Sequence, residues 1–436
     1  MGKRCAAGLG LAAALALGPG AAAAAAAETP EARPPPEGAL VGWKELLGLR
    51  AWLPPEVWRH RDRFFHTAMQ LQIGPQQRDY PVPRAFREAS GGARLDTDGN
   101  LHGHTPGSGL PFPPEAIDPA APDAGLRWAW NMARRHRGAG PRGSFLLVDL
   151  PDRVGGVQNY LGEWFQLVPG GDDASFTAGG RFLEPAPVRH LAWQQRRPRA
   201  AAAQWSLPDE TFVYLPSARK VRRAAGVWVD GFFTPNYRSP VGPSAPGGAV
   251  GGTGLAATDP LRRGWLGLAL RPNAYIWRLA GEREVLAPIN VARPGYPLSP
   301  RGWGKSGLSP ADDRWELRRA VVIEGVLREP RARVSAVTLY VDAQTLQPLY
   351  YASRSAGGRL LETGILLHRF SGDVEGYPPG VGGTAAAVFD PVAAVFVETG
   401  DGGSGWRRES YDVISTPPSD AERRRLTGPE YLGRGR

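Results

Sequence analysis

The segment from residue 314 to residue 373 constrains the fold most, because it contains four extended runs separated only by short breaks. Val, Ile, Leu, Thr and Tyr dominate the runs, and these residue types favour a pleated, half-buried surface. The breaks are Glu329–Pro330, Asp342–Gln344 and Ala356–Gly358. Breaks this short allow hairpins but no parallel crossovers. The segment therefore predicts an antiparallel meander, a shape that curls into a barrel or half-barrel.

Residues 1–27 are typical of an export signal. Lys3 and Arg4 give a positive start, and Ala6–Leu17 is an apolar run too short to span a bilayer. A run of alanines follows, which fits cleavage near Ala27 and otherwise reads as a low-complexity tail. We expect export to the periplasm of a Gram-negative bacterium, with no lipid anchor.

Cysteine usage and charge exclude several classes of function. Cys5 is the single cysteine and lies within the signal, so the mature chain has no disulfide, cysteine nucleophile or thiolate metal ligand. The net charge is +10, with the basic residues spread along the chain. Nucleic acid is a poor partner for an exported protein. The charge indicates either solvated strand faces or attraction to anionic lipid headgroups.

The mature chain divides by composition into four parts. From residue 144 onwards the pattern is almost entirely strand and turn, whereas the earlier residues are helical or rich in turns. The predicted parts, after the signal, are a proline-rich spacer (28–40), a helical and turn-rich N-terminal elaboration packed on the sheet (41–140), an antiparallel β half-barrel (141–415), and a C-terminal tail with a short helix (416–436).

Three helical regions are predicted to cover the sheet or follow it. Val41–Met69 has helical periodicity in two pieces, and Asp123–Arg137 carries an apolar stripe with positive charge at its C-terminal end, where charge of that sign suits the helix dipole. Gly138 is expected to end the second helix. Ser419 and Glu422 form a capping box for a short final helix.

One stretch, Asp96–His104, is the best metal candidate. Two carboxylates and an amide surround a glycine turn, and two histidines follow on one strand face. A calcium loop would need a glutamate at its twelfth position, where Gly107 stands. The same residues also make an ordinary hairpin turn. We therefore expect no metal ion and no cofactor.

No catalytic constellation emerges from the sequence. The chain has no G-x-S-x-G motif, and Gly304–Ser306 lacks the upstream glycine of a phosphate-binding loop. The paired acids Asp172–Asp173 and Asp312–Asp313 lie in turns. Glu316 and Glu324 are interpreted as surface cross-strand partners. We therefore expect no catalytic residue and a protein that is not an enzyme.

Aromatic side chains are the best candidates for lining a ligand cavity. The chain has 14 tryptophans, and an apolar ring with one N–H suits a cavity wall as well as a packed core. Ordinary core packing is the alternative for each of them. The candidates on predicted strands or their edges are Trp193, Trp205, Phe212, Tyr214, Trp265, Tyr275, Trp277, Leu339 and Val341.

Several segments between Ala68 and Ser371 resemble one known family. Their order and spacing carry the resemblance more than any single motif. They are Gly109–Pro113, Trp128–Asn131, Arg134–Gly140, Phe212–Pro216, Tyr275–Leu279, Trp315–Arg319 and Tyr340–Asp342. Together they resemble the bacterial exported family called domain of unknown function 1329. That family has no established activity, so no catalytic residue is carried over.

The resemblance implies a fold and a role. The family is distantly similar to periplasmic lipoprotein carriers of the LolA/LolB type, which are curved, incomplete antiparallel barrels that hold acyl chains and are plugged by helices. Its members are associated with inner-membrane exporters of the RND/MMPL type and with outer-membrane barrel proteins. After Phe370 the chain is rich in glycine and alanine and departs from the family, which leaves the closing strands open.

These observations lead to one expectation and two alternatives. We expect a mainly β (α+β) fold, a large curved antiparallel sheet or incomplete barrel covered by helices. The expected function is a monomeric, non-enzymatic periplasmic carrier or chaperone of a lipid-like hydrophobic ligand. The first alternative is a protein-binding assembly module of an exporter or outer-membrane complex. The second alternative is an envelope glycan or ester hydrolase.

Overall fold

The computed structural model describes nine stretches of the chain. They are residues 33–86, 92–151, 157–168, 174–223, 270–292, 313–329, 334–380, 387–399 and 405–433. The chain forms two units, Met1–Pro34 and Pro35–Arg436, and the helices and strands of the described residues belong to the second. The predicted export signal and the candidate Trp265 lie outside the described residues.

Strands dominate the described residues. Fifteen of them form one sheet, and β3 pairs only with β4 in a small hairpin. The strands are β1 (Leu40–Val41), β2 (Leu71–Gln76), β3 (Arg94–Leu95), β4 (Leu101–His102), β5 (Arg142–Pro151), β6 (Gln158–Leu167), β7 (Ala174–Glu184), β8 (Ala192–Pro198), β9 (Glu210–Leu215), β10 (Lys220–Arg223), β11 (Tyr275–Ala287), β12 (Arg314–Leu327), β13 (Ala336–Asp342), β14 (Pro348–Arg354), β15 (Leu360–Phe370), β16 (Phe389–Glu398) and β17 (Gly405–Ile414).

The helices are short. None of those in the described residues has the length and hydropathy that crossing a bilayer requires. The α-helices are α1 (Pro55–Arg59), α2 (Arg61–Phe64), α3 (Ala124–Ala133), α4 (Asp420–Thr427) and α5 (Glu430–Gly433). The 3-10 helices are Leu46–Trp52, Arg84–Phe86, Pro114–Ala116, Ala186–Val188, Arg199–Ala202, Pro216–Ala218, Pro272–Ala274 and Ser371–Asp373.

The sheet is almost wholly antiparallel and open. Its order is β1-β2-β12-β13-β14-β15-β16-β17-β5-β6-β7-β8-β9-β10, with β11 also pairing β12. The predicted meander is confirmed, since β12 to β15 are sequential neighbours. Among the described residues no pairing joins β10 back to β1. The predicted fold class, mainly β with a large antiparallel sheet covered by helices, is confirmed.

The glycine-rich C-terminal region supplies the strands that join the two halves of the sheet. β16 pairs with β15, and β17 pairs with β16 on one side and β5 on the other. The β17–β5 ladder runs from Gly405 opposite Pro151 to Ile414 opposite Arg142. The strands after Phe370, which the sequence left open, therefore connect the β12–β17 meander to the β5–β10 meander.

Helices cover both faces of the β12–β17 meander. Side chains alternate between the two faces of a strand, and on β13 Leu339 packs in one apolar cluster whereas Tyr340 packs in another. The cluster around Leu339 includes Trp128 and Met132 of α3. The cluster around Tyr340 includes Phe64 at the end of α2. Each face is thus buried under its own helices.

Helix α3 lies directly on β11. A Cβ at Gly125 would lie 2.5 Å from the carbonyl carbon of Arg278, a distance that only glycine permits. Asn131 is fully buried and bonds both backbone groups of Phe112, donating from Nδ2 to its O (2.7 Å) and accepting at Oδ1 from its N (3.1 Å). The helix ends at Ala133, four residues earlier than its sequence predicts. Asp123 accepts from Arg127 rather than capping the helix.

The C-terminal tail packs on the β5–β10 half. Ser419 Oγ accepts from Glu422 N at 3.1 Å, so the predicted cap is confirmed. Tyr431 of α5 then meets the ring of Phe165 edge-on at 5.1 Å. Helix α5 therefore covers an apolar patch on β6 that would otherwise face water.

Candidate ligand-binding hollow

The segment after α3 is drawn tightly between two strand ends. Gly138 has φ +56°, and a Cβ there would lie 2.5 Å from the Ser415 carbonyl oxygen. Gly140 has φ +92°, and its Cβ would lie 1.9 Å from the Gln166 oxygen. Ala139 N donates to Ser415 O at 2.9 Å. Both glycines are required by conformation and by space, so the residues preceding them are held beside the ends of β6 and β17.

A hollow of about 390 Å³ opens at this point, and we call it the α3 hollow. Its size lies toward the lower end of the range for small-molecule sites. Part of its wall is apolar, and part is cationic. The apolar lining includes Phe86, Ala133, Ala139, Val168, Ala387 and Val388, and the polar lining includes Arg134, Arg135, His136, Arg137, Ser175, Ser415 and Thr416. Among the described lining residues there is no Asp or Glu.

Arg134 and Arg137 are the notable cations of this wall. Burial, and then the neighbouring guanidinium groups, lower the pKa of each arginine to about 10, so both stay charged at neutral pH. Arg134 stacks over the ring of Trp130 at 5.7 Å. Within the described residues, its buried Nε and the buried Nη1 of Arg137 have no hydrogen-bond acceptor. Buried donors without acceptors are rare in proteins.

A smaller hollow of about 40 Å³ adjoins the first and shares Ala133, Arg134, Arg137 and Ser175 with it. Its far wall includes Arg197 and Arg271. Both of these arginines contact the carboxylate of Asp209.

Asp209 receives two guanidinium groups. Its Oδ1 lies 2.5 Å from Arg271 Nη2 and 3.2 Å from Arg197 Nε. Burial opposes ionisation of Asp209, but the two arginines outweigh burial and lower its pKa. Two cations therefore contact the same carboxylate beside the wall that the two hollows share.

Other wall residues are tied to partners. Burial lowers the pKa of His136 to about 4, so the ring is neutral at pH 7, and it stacks on Phe86 at 4.8 Å. Ser415 Oγ donates to the buried Asp390 Oδ1 at 2.5 Å, and Tyr377 donates to Oδ2 at 2.8 Å. Burial raises the pKa of Asp390 to about 6, against the opposing effect of these hydrogen bonds. His136 therefore adds no charge to the wall at pH 7, and the Ser415 side chain is held in place by its hydrogen bond to Asp390.

Five of the nine predicted cavity residues lie under or beside α3. Tyr275, Trp277, Leu339 and Val341 are buried in the cluster that α3 covers, and the partly buried Trp205 packs against it. Their space is filled by the helix. They would contact a ligand only if α3 moved away, so their role as ligand contacts stays a prediction.

The other predicted residues belong to the β5–β10 half. Trp193 is buried in a cluster with Phe145 and Phe182, and Tyr214 and Phe212 pack in the cluster that α5 covers. The structure thus distributes the described candidates over three clusters rather than one cavity. None of them is among the described residues that line the two hollows.

The stretch Asp96–His104 forms a hairpin turn. Asp96 Oδ1 accepts from the backbone N of Asp98 and of Asn100, both at 2.9 Å, and its Oδ2 lies 2.9 Å from His102 Nε2. His104 instead bonds the Gly109 carbonyl oxygen at 3.0 Å. No group of three or more metal-binding side chains occurs among the described residues.

From the sequence, the arginines of the α3 hollow were not predicted to be site residues. They were interpreted as charges that suit the C-terminal end of a helix. The feature of the sequence that could have indicated a site is the run Arg134–Arg137. It consists of four basic residues with no acidic neighbour, and two glycines follow it closely. The meeting of that run with Ser175 and Ser415 depends on long-range sheet pairing, which local patterns do not contain.

The chain was compared with curated proteins and with solved structures. No curated protein matched the chain. Among solved structures, similarity was found to a domain from Vibrio parahaemolyticus named for outer membrane lipoprotein sorting (13% identity, TM-score 0.43, covering 72% of this chain and 100% of that one). The chain is also similar to a DUF1329 family protein from Desulfovibrio piger (13% identity, TM-score 0.42, covering 72% of this chain and 99% of that one). A third similar structure is a LolA superfamily protein from Nitrosomonas europaea (12% identity, TM-score 0.37, covering 72% of this chain and 99% of that one).

A family model supports the assignment made from the sequence. Residues 266–389 match the family described as "Protein of unknown function (DUF1329)". The match includes three of the quoted segments, Tyr275–Leu279, Trp315–Arg319 and Tyr340–Asp342, whereas Arg134–Gly140 lies outside it. The predicted resemblance is therefore confirmed over residues 266–389.

Proposed function

We propose that this protein is a non-enzymatic carrier of a lipid-like, amphiphilic ligand in the bacterial envelope, and that the α3 hollow receives the ligand. One observation carries the proposal: the hollow of about 390 Å³ combines apolar walls with fixed positive charge. An apolar pocket with a few placed polar groups is the usual form of a small-molecule site.

The apolar wall gives the ligand a place for its hydrocarbon part. Phe86, Val168 and Val388 present ring and methyl groups to the space. Burying hydrocarbon against them contributes about 0.8 kcal/mol per methylene before ordering costs. A volume near the lower limit of known sites favours one small amphiphile over a lipid with several chains.

The carrier role extends the expectation drawn from the family resemblance. In this role the protein would work in the periplasm and exchange its ligand with an inner-membrane exporter of the RND/MMPL type or an outer-membrane barrel protein. The two lining serines, Ser415 and Ser175, donate to Asp390 and to the Pro198 carbonyl oxygen rather than to a histidine base. This arrangement supports binding over acyl transfer.

The test combines gentle purification of the chain with ligand analysis. Organic extraction and mass spectrometry should find a bound amphiphile, and the delipidated protein should bind parinaric acid with a rise in fluorescence. Ala139→Phe, which fills the hollow, should weaken binding by roughly tenfold or more. Ala120→Phe, at an exposed turn, is the matched control and should bind like the natural chain. A protein that neither carries nor binds an amphiphile contradicts the proposal.

A second candidate function is binding of a protein partner by strand addition. Within the described residues β10 pairs only with β9, and all four residues of β10 are exposed. An exposed edge can accept a further strand. Crosslinking in cells should then capture a membrane protein, and Val221→Pro should abolish capture whereas Val221→Thr should not.

A further inference from the structure

We propose that the α3 hollow binds an anionic headgroup, a phosphate or a carboxylate, through Arg134 and Arg137. This inference rests on the proposed carrier function and names the chemical class of the ligand. It predicts that the headgroup sits at the C-terminal end of α3 and that the apolar wall takes the tail.

The first argument is local charge. Arg134 and Arg137 have no carboxylate partner in the described residues, and in the adjoining wall Arg197 and Arg271 both contact the Asp209 carboxylate. The positive groups therefore raise one another's free energy across the wall common to both hollows. The C-terminal end of α3 supplies only about half a negative charge. An anion from outside the chain would neutralise the remaining positive charge.

The second argument is hydrogen bonding. Arg134 Nε and Arg137 Nη1 are buried, and within the described part of the chain neither N–H has an acceptor. The buried Arg318, by contrast, donates from Nε to Asp342 at 2.7 Å. A phosphate or carboxylate offers several acceptor oxygens to the guanidinium fork. The two orphan donors thus identify the kind of group that is missing.

The third argument is rigidity. The ring of Trp130 supports the Arg134 guanidinium at 5.7 Å, and Gly138 fixes the path of the chain beyond Arg137 by its contact with Ser415. Groups held in place before binding lose less entropy when a ligand arrives. The two cations are therefore preorganised at the wall of the hollow.

The experiment uses three probes with one common tail, namely dodecyl phosphate, dodecanoate and dodecanol, and it adds inorganic phosphate without a tail. Calorimetric titration of the delipidated full chain, below the micellar concentration of each probe, gives the affinities. We expect both anionic probes to bind at least roughly tenfold more tightly than dodecanol. Inorganic phosphate should bind more weakly than dodecyl phosphate.

Variants at the wall assign the effect to the arginines. Arg134→Gln and Arg137→Gln should each reduce the preference for dodecyl phosphate over dodecanol by roughly tenfold, while dodecanol binding stays unchanged. Arg137→Lys keeps the charge but loses the fork and should fall between. Arg127→Gln is the matched control, because Arg127 lies on the same helix and pairs with Asp123. Thermal unfolding of each variant checks that it folds.

The outcomes separate the two proposals. Equal affinity for dodecanol and the anionic probes overturns the headgroup site and leaves the carrier function standing. An unchanged preference in Arg134→Gln and Arg137→Gln also overturns it. Binding of inorganic phosphate that is lost in those variants, with no binding of any tailed probe, supports an anion site at the arginines and overturns the carrier function. Binding of none of the four probes overturns both.

Discussion

The two ends of α3 meet the rest of the protein in opposite ways. At its start, Gly125 touches the β11 backbone, and further along the helix Trp128 lies in the apolar cluster over the sheet and both polar groups of the Asn131 side chain are bonded. Just beyond its end at Ala133, Arg134 and Arg137 line the α3 hollow, and Arg134 Nε and Arg137 Nη1 have no acceptor among the described residues. The residues within the helix thus stabilise the fold, whereas the residues that follow it form a candidate binding site. Polar groups without partners are expected at functional sites rather than in the packed core.

The largest expected effect is at the packed end. Trp277→Ala should lower the free energy of unfolding by about 3–5 kcal/mol, because it empties space under α3. The Trp277 ring stacks with Tyr275 at 5.1 Å, and its Nε1 donates to Pro272 O at 2.8 Å. Ile276→Ala is the control on the same strand, since Ile276 is 60% exposed, and it should change stability by less than about 1 kcal/mol. Urea unfolding measures both, and equal losses would show that α3 does not pack as described.

A second contrast concerns an arginine with an ion pair and one for which no ion pair occurs among the described residues. Arg318→Gln should cost about 3–5 kcal/mol because it strands the buried carboxylate of Asp342. Arg137→Gln should change stability by less than about 1 kcal/mol, because no ion pair is lost and a repulsive charge is removed. Denaturant unfolding of the ligand-free variants measures both. A large loss in Arg137→Gln would mean that this arginine is structural.

The carboxyl group of Asp390, which lies behind the wall of the hollow and accepts from Ser415, should titrate. Burial raises the pKa of Asp390 from an ordinary 3.8 to about 6, so the folded state holds this proton more tightly than the unfolded state. Stability from Asp390 is present below pH 4 and lost as pH rises to 6, by up to about 3 kcal/mol. Stability measured across this range should fall less steeply in Asp390→Asn.

A control of opposite sign sharpens the titration. The hydrogen bond from Arg78 lowers the pKa of Asp373, so the stability that this group contributes is lost as pH falls. Asp373→Asn should therefore alter only the acid side of the profile. If Asp390→Asn and the natural chain have parallel profiles between pH 4 and 6, Asp390 is ionised throughout.

The smallest of these effects tests the close approach of α3. Gly125→Ala should lower the free energy of unfolding by about 1–3 kcal/mol, because its Cβ meets the backbone of Arg278. Gly48→Ala, with no heavy atom within 4 Å of the added carbon, should be neutral or stabilising by up to about 1 kcal/mol. Thermal unfolding of the pair measures the difference. A neutral Gly125→Ala would mean that α3 sits further from the sheet.

Local patterns predicted what local forces determine. The meander β12–β15 followed from its short breaks, and the Ser419 cap followed from its spacing with Glu422. Contacts between distant segments were not predictable in this way. Glu316 was expected at the surface, yet it is fully buried, because the segment around Tyr80 folds over it and the Tyr80 hydroxyl donates to both its oxygens at 2.7 and 2.8 Å.

The position of the candidate site was not predictable for the same reason, because it depends on contacts between distant segments. Aromatic residues on strands predicted a cavity, but side-chain type does not say whether a helix will fill the space above the sheet. Trp277 and Leu339 are covered by α3, and the open space lies past the end of that helix. Only the pairing of β17 with β5 brings Ser415 beside Arg137.

The most direct test of the ligand's place is photo-crosslinking with a diazirine fatty acid, mapped by peptide mass spectrometry on the delipidated full chain. We expect adducts on residues 133–139 and 415–417, which line the α3 hollow, and we expect these adducts to be lost when unlabelled dodecyl phosphate competes. Adducts confined to the strands beneath α3, at Tyr275, Trp277 or Leu339, would contradict this expectation.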